Sequence, residues 1–359
     1  MGAKKPDLTL QGEIHGGVVT LSGAIIDYAN EVGFDIVVID TLKKPFLEIS
    51  FYQEIKTGMH RLIELITLLR RDKYAGVIIF SGAGWGFYER IALSAICRVA
   101  NTTCILFMVD GWFLAIRNEY FLKRKWIGLL LKIPNKIAVT GSNWLNFYKS
   151  MGLKQDRLVN INYFLSKLFR PSLIPKQVVS GEPIKFIFIG WMIQEKGLNE
   201  ILIVLKDLFK KKEFLFTFIG DGPMLEDIQN TIKKENWEPR ICAKGLLSND
   251  QKKHELASSH VFVLPSYAEG FPMTLIEAMH YGLPAICSDV GGVSNSIYND
   301  MNGFLISPKN TQELQEAMVF FINNPDLLTK YSLKALEINQ KNHDADENCY
   351  RLFNLFLGK

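Results

Sequence analysis

The 359-residue sequence predicts an α/β protein built on two doubly wound parallel sheets, one in each half of the chain. Three observations carry this. Short apolar runs rich in β-branched and aromatic residues recur along the chain, and segments of helical length separate them. The runs are apolar throughout rather than alternating, which is the pattern of strands covered by helices on both faces. Most runs end in Gly, Ser, Asp or Pro, residues suited to the carboxyl edge where open α/β sheets bind their ligands.

Taken in order, the first half offers GFDIVVID (33–40), YAGVIIFSG (74–82), TTCILFMVDG (102–111), NKIAVTGS (135–142) and LVNINYF (158–164). A doubly wound unit should open on a buried strand, but residues 1–10 give only LTL after Lys-Lys-Pro-Asp. Pro6 cannot donate to a ladder, so the opening strand is short or incomplete. The segment Phe169–Pro183 carries three prolines and a glycine without helical period and reads as a linker. The second half gives IKFIFIG (184–190), FLFTFIGDG (214–222), RICAKGL (240–246), HVFVLPS (260–266), PAICSDVG (284–291) and GFLISP (303–308). Beyond about residue 325 the pattern is helical to the apolar face of NCYRLFNLFLGK. The expected division is therefore a domain over 1–168, a linker over 169–183, a domain over 184–337 and a helical tail over 338–359, placed so that it can pack back on the first domain.

Composition excludes several classes. Apolar residues make up 48% of the chain and the formal net charge is +4, values of a globular protein without the basic excess of a nucleic-acid binder. Five cysteines, odd in number and never in C-x-x-C spacing, indicate reduced thiols with no disulfide framework or zinc site. No apolar run reaches membrane-span length and the polar amino terminus does not read as a signal peptide, so a cytoplasmic location is expected.

The densest motif is VFVLPSYAEGFPMTLIEAMHYGLPAICSDVGG, Val261 to Gly292. Pro272 suits the first turn of a helix, where its missing N–H has no intrahelical partner. Glu269 then lies in the loop before that helix, and Glu277 is expected to face outward from its second turn. The helix amino end, with the amides of Phe271, Met273 and Thr274 after the turn at Gly270, suits a phosphate or diphosphate. Glu277 could accept hydrogen bonds from ribose hydroxyls, as an acid does in dinucleotide folds. In isolation, E-G-F-P reads more readily as an amphipathic helix with one solvated glutamate.

In register with its neighbours, the stretch resembles the signature of glycosyltransferase family 4, whose members are retaining enzymes of the GT-B fold. The resemblance extends to FIFIGWMIQEKGLNEIL (186–202), FTFIGDGPM (216–224) and NGFLISPKNTQEL (302–314), and covers essentially the whole second half. The first half matches more loosely, through Gly16–Gly17 and DGWF at Asp110–Phe113. This resemblance implies two Rossmann-like domains facing across a cleft, the first on the acceptor side and the second holding a nucleotide-sugar. It implies that Glu269 contacts the transferred sugar and Glu277 the ribose. Lys196, after Gly190 and Trp191, would stabilise charge on the departing diphosphate. Gly16 and Gly17 would let the backbone approach the donor, and Gly245 would lie where the base is held. The reaction it implies is front-face attack, with the leaving phosphate helping to deprotonate a glycan or lipid-linked acceptor.

Two departures stand out. Trp191 replaces the arginine usual after the motif glycine, and Asp110-Gly111 replaces the usual His-Gly, so the part of Asp110 near the transferred sugar is altered. They motivate a rival reading as a non-catalytic sugar-nucleotide-binding subunit. A nicotinamide oxidoreductase is disfavoured because GDGPML (220–225) lacks the third glycine of a dinucleotide fingerprint. His15 is read as an incidental loop residue. The D-x-D at Asp344–Asp346 lies in the helical tail and reads as a solvated face. No His/Cys/carboxylate cluster has ligand spacing, so no cofactor and no metal are expected, the nucleotide-sugar being a substrate. Finally, FLKRKWIGLLLKIPNK (121–136) reads as a basic amphipathic helix able to lie on the inner face of an anionic membrane, or as a domain helix with its apolar side in the core.

Overall fold

The computed structural model describes residues 17–39, 51–81, 84–108, 121–166, 174–179 and 181–357. The first half contains α1 (Gly17–Val32), α2 (Phe51–Arg71), β1 (Gly76–Phe80), α3 (Trp85–Val99), β2 (Thr103–Phe107), α4 (Phe121–Leu130), β3 (Lys136–Val139), α5 (Ser142–Ser150) and β4 (Leu158–Asn160). Its strands form one parallel sheet in chain order, β1-β2-β3-β4. Strand residues such as Cys104, Ile105, Leu106 and Phe107 are wholly buried, as the unbroken apolar run requires.

The second half contains β5 (Ile184–Ile189), α6 (Leu198–Leu208), β6 (Phe214–Ile219), α7 (Leu225–Lys234), β7 (Ile241–Ala243), α8 (Asn249–Ser258), β8 (Val261–Leu264), α9 (Met273–His280), β9 (Ala285–Ser288), β10 (Gly303–Ile306), α10 (Thr311–Asn323) and α11 (Leu328–His343). The parallel sheet has the order β10-β9-β8-β5-β6-β7. The chain fills one side of β5 with β6 and β7, then crosses back to build β8, β9 and β10 on the other. The order reverses between β5 and β8, the switch point at which open α/β sheets form a ligand crevice beyond the carboxyl ends of their strands. Phenylalanines 186, 188, 214, 216, 218 and 262, each at most 1% exposed, fill this core.

One apolar run departs from expectation. Residues 34–39 of GFDIVVID form no strand, and Val37 and Val38 are about half exposed. Phe34 and Ile36 instead pack against a core that includes the carboxy-terminal helix α12 (Ala345–Leu357), whose Phe353 stacks on Phe34 with ring centroids 5.0 Å apart. Residues 1–16 and 40–50 lie outside the described part, and with them the proposed opening strand.

A third core joins the two halves. It gathers Ile105, Phe107, Ala138 and Tyr163 from the first half with Phe271, Met273 and Ile276 from the second, and adds Cys349 and Leu352 of α12. The described part of the connecting segment is pinned at Lys176, whose buried ammonium donates to the carbonyls of Leu256 and Ala257 at the carboxyl end of α8. Burial pushes that ammonium's pKa down to about 8. Within the D-x-D motif, Asp344 caps α12 at an exposed position by accepting from the Glu347 amide at 2.8 Å.

Candidate functional site

The crevice between β5 and β8 is assembled by two loops that touch. After β5 the chain passes Gly190 and Trp191, makes one tight turn over Gln194–Lys196, and enters α6 through Gly197 at φ 74°. A side chain at Gly197 would meet the Pro265 carbonyl at 2.1 Å, so only glycine lets the loop after β5 lie this close to the loop after β8. The Tyr267 amide donates to the Glu195 carbonyl at 2.8 Å and ties the loops together. The Tyr267 hydroxyl reaches both carboxylate oxygens of Glu200 on α6, at 2.9 and 3.0 Å. Burial and the Glu200 carboxylate push that phenol up to about 12, so it stays a donor.

This clamp brings Lys196 and Glu269 together across 73 residues of sequence. The Lys196 ammonium lies 2.6 Å from Glu269 Oε1, and the buried Ser266 hydroxyl donates to the same oxygen at 2.7 Å. A primary ammonium and an oriented carboxylate thus stand side by side at the switch point, partly open to solvent.

On α9 the second acid behaves differently from expectation. Glu277 does not face outward: it is 4% exposed, with Oε1 held 2.9 Å from the Lys252 ammonium of α8. Its Oε2 is buried and has no hydrogen-bond partner. A buried carboxylate oxygen without a donor is costly, and this one has the capacity to accept a further hydrogen bond. Helix α9 begins at Met273 with Pro272 as its cap, which leaves the amides of Met273 and Thr274 in the first turn, after Gly270 and Phe271.

The glycines of this edge are there for close approach. A side chain at Gly220 would lie 1.9 Å from the Gly190 carbonyl, and one at Gly291 would lie 2.0 Å from the Glu269 carbonyl. Gly245, at φ 70° beyond β7, accepts from the Gly220 amide at 2.9 Å, which sets its loop at the same carboxyl edge. Trp191 is 40% exposed beside this edge.

The first half reaches the same loops. The Trp144 indole donates to the Gly270 carbonyl at 3.3 Å, and Asn143 donates to the Ser294 hydroxyl at 3.0 Å. Phe271 is wedged between Tyr163 and His343, with centroids 5.6 and 5.3 Å away, so its ring is structural and only its backbone is left for a ligand. Gly17 opens α1, while Gly16, His15 and Asp110 lie outside the described residues. Ser266, Lys252 and Trp144 were not singled out in the sequence. Ser266, three residues before Glu269 in LPSYAEG, was the one with a local signal.

Residues 169–337 match the family model of the group 1 glycosyl transferases. The chain is 25% identical over 251 residues to an uncharacterised glycosyltransferase of Methanocaldococcus jannaschii, covering 63% of this chain and 70% of that protein. It is 26% identical over 281 residues to the Escherichia coli UDP-Gal:alpha-D-GlcNAc-diphosphoundecaprenol alpha-1,3-galactosyltransferase, covering 73% of this chain and 70% of the relative. Other relatives are matched over less than half of their own length, 40% in one case and 47% in another. In fold, the chain resembles Anabaena HepE in complex with UDP, with a TM-score of 0.68 at 12% identity over 84% of this chain and 82% of that one. The fold is GT-B.

Proposed function

We propose, from the match of residues 169–337 to the group 1 glycosyl transferases, that the chain is a retaining glycosyltransferase. It transfers a sugar from a nucleoside-diphosphate donor held in the β5/β8 crevice to a glycan or lipid-linked acceptor. The observation that carries this reading is the pairing of Lys196 with Glu269 at the switch point, next to a helix whose Glu277 presents a buried, unpartnered oxygen. Ribose hydroxyls satisfy Glu277, the diphosphate meets the amino end of α9 and the Lys196 ammonium, and the sugar lies against Glu269. As the sugar–phosphate bond breaks, negative charge grows on the diphosphate, where a fixed ammonium and oriented amides stabilise it without reorganising. No metal is needed in this scheme, because Lys196 and the helix end supply the positive charge. The remaining work is placement of the acceptor hydroxyl against the anomeric carbon.

The diphosphoundecaprenol in the printed name of the Escherichia coli relative supports an acceptor linked to a lipid diphosphate. Such an acceptor is met at a membrane surface, and α4 presents Trp126 and Leu129, 54% and 56% exposed, beside the exposed Lys125. Among the described residues no helix is long and apolar enough to cross a membrane, so contact through α4 would be peripheral. Incubation with a panel of nucleotide-sugars tests the proposal. An enzyme releases nucleoside diphosphate on addition of acceptor, and it releases it slowly with water alone. A donor that raises the melting temperature but is never turned over would make the chain a binding subunit instead.

A further inference from the structure

The first sheet has a second concave feature at its amino edge, away from the crevice. A cavity of about 480 Å³ is lined by Arg98, Asn101, Thr102, Thr103, Asn135 and Arg157. Thr103 opens β2, Asn135 immediately precedes β3, and Arg157 immediately precedes β4, so the cavity spans the amino ends of three strands. The first half meets the second at the opposite edge, where Gly141 follows β3 and packs on Asn295. At ~3.3 Å per residue the strands separate the two edges by roughly 10–16 Å.

What distinguishes the cavity is its charge. Arg98 and Arg157 both donate to the Lys132 carbonyl, at 3.2 and 2.8 Å, which brings two guanidiniums together on one acceptor. Arg98 also donates to the Ile133 carbonyl and Arg157 to that of Pro134, so both are fixed in place. Among the described residues neither forms an ion pair with a carboxylate. Burial lowers the Arg157 pKa, and the Arg98 charge lowers it further than Asp156 raises it. The rest of the wall is neutral and hydrogen-bonding. Two fixed cations that repel each other in a polar hollow are a receptor for an anion able to bridge them. The planar, multidentate guanidinium favours a tetrahedral phosphate for this.

We propose that this cavity binds a phosphate group, distinct from the donor crevice and independent of the reading given above. The phosphate could be carried by a soluble molecule or by the headgroup of an anionic lipid. Lys132 and the 87%-exposed Val99 near the cavity are compatible with either source.

The test uses the full chain and two probes. Inorganic phosphate is titrated calorimetrically in chloride buffer, and sedimentation is followed with phosphatidylcholine vesicles with and without phosphatidic acid. Arg98→Gln combined with Arg157→Gln should lower affinity at least about tenfold, the scale of losing charge-assisted hydrogen bonds. Because those arginines also hold the 132–134 turn, Asn101→Asp provides a second variant. Asn101 sits at φ 55°, which Asp tolerates, and the new charge opposes phosphate while leaving the turn bonds intact. Binding of free phosphate that is lost in both variants supports the proposal with a soluble ligand. Binding only to phosphatidic acid vesicles, likewise lost, supports it with a lipid headgroup. If neither probe binds, or if binding survives either variant, the cavity is not the site and the proposal fails.

Discussion

Lys196 carries most of the chemical weight at the residue scale. Its ammonium is paired with Glu269 at 2.6 Å, and in the proposed complex the diphosphate shares that charge. Replacing it with Ala should lower turnover roughly a hundredfold, the order seen on removing a preorganised charge-stabilising donor. Donor affinity should fall less, because the charge it answers is largest in the transition state. Steady-state kinetics with a saturating acceptor separate the two, and unchanged turnover would remove Lys196 from the mechanism. The placement of Lys196 and Glu269 in loops and of Glu277 on a helix was legible because each lies in a short motif whose turn chemistry can be read locally. Their partners were not. Lys252 meets Glu277 from a different helix and Trp144 arrives from the other half, and no local pattern encodes contacts set by packing.

At the scale of the element, most strands were legible because a buried parallel strand has no choice but to be apolar throughout. The run at 33–40 misled for the same reason: β-branched composition reports a preference for extended backbone but does not supply a neighbouring strand. Residues 34–39 spend their apolar side chains partly on α12. Helix α4 was ambiguous in sequence between core and membrane surface, and its burial divides it between the two. Ile127 is wholly buried whereas Trp126 and Leu129 are more than half exposed. Arg124 is engaged with the Ser150 hydroxyl at 2.5 Å and lies over the Phe147 ring, while Lys125 and Lys132 are exposed. Substituting Trp126 and Leu129 together by Ser should reduce sedimentation with anionic liposomes several-fold, since each removes apolar area from the contact. Equal sedimentation of parent and variant would show that α4 is not a membrane face.

The molecule as a whole is held across its two halves by polar groups as well as by the shared core. His343 lies fully inside this junction, where Nδ1 donates to the Tyr163 carbonyl at 2.6 Å and Nε2 accepts from the Ser296 hydroxyl at 2.7 Å. His260, beside β5, accepts at Nδ1 from the Lys185 amide at 3.2 Å. Burial pushes both imidazoles down to about 4 from an ordinary 6.5. The unfolded chain therefore binds these protons first as pH falls, so stability is full above about 6.5 and declines towards 4. The loss is about 3 kcal/mol for each histidine. Urea unfolding at neutral pH and near pH 4 should show this slope, and His343→Gln should flatten it by about half. An unchanged slope in that variant would mean that the junction does not depend on a neutral His343.

The central claim is that ribose, diphosphate and sugar are met in turn by Glu277, the amino end of α9 with Lys196, and Glu269. Calorimetric titration with nucleoside diphosphate, comparing the parent chain with Glu277→Ala and Glu269→Ala, tests it most directly. Glu277 answers a part of the ligand that free nucleoside diphosphate retains, so its loss should weaken binding about tenfold or more. Glu269 answers only the sugar, so its loss should leave that affinity nearly unchanged while turnover of the nucleotide-sugar collapses. Equal losses in the two variants, or a larger loss for Glu269→Ala, would contradict this arrangement.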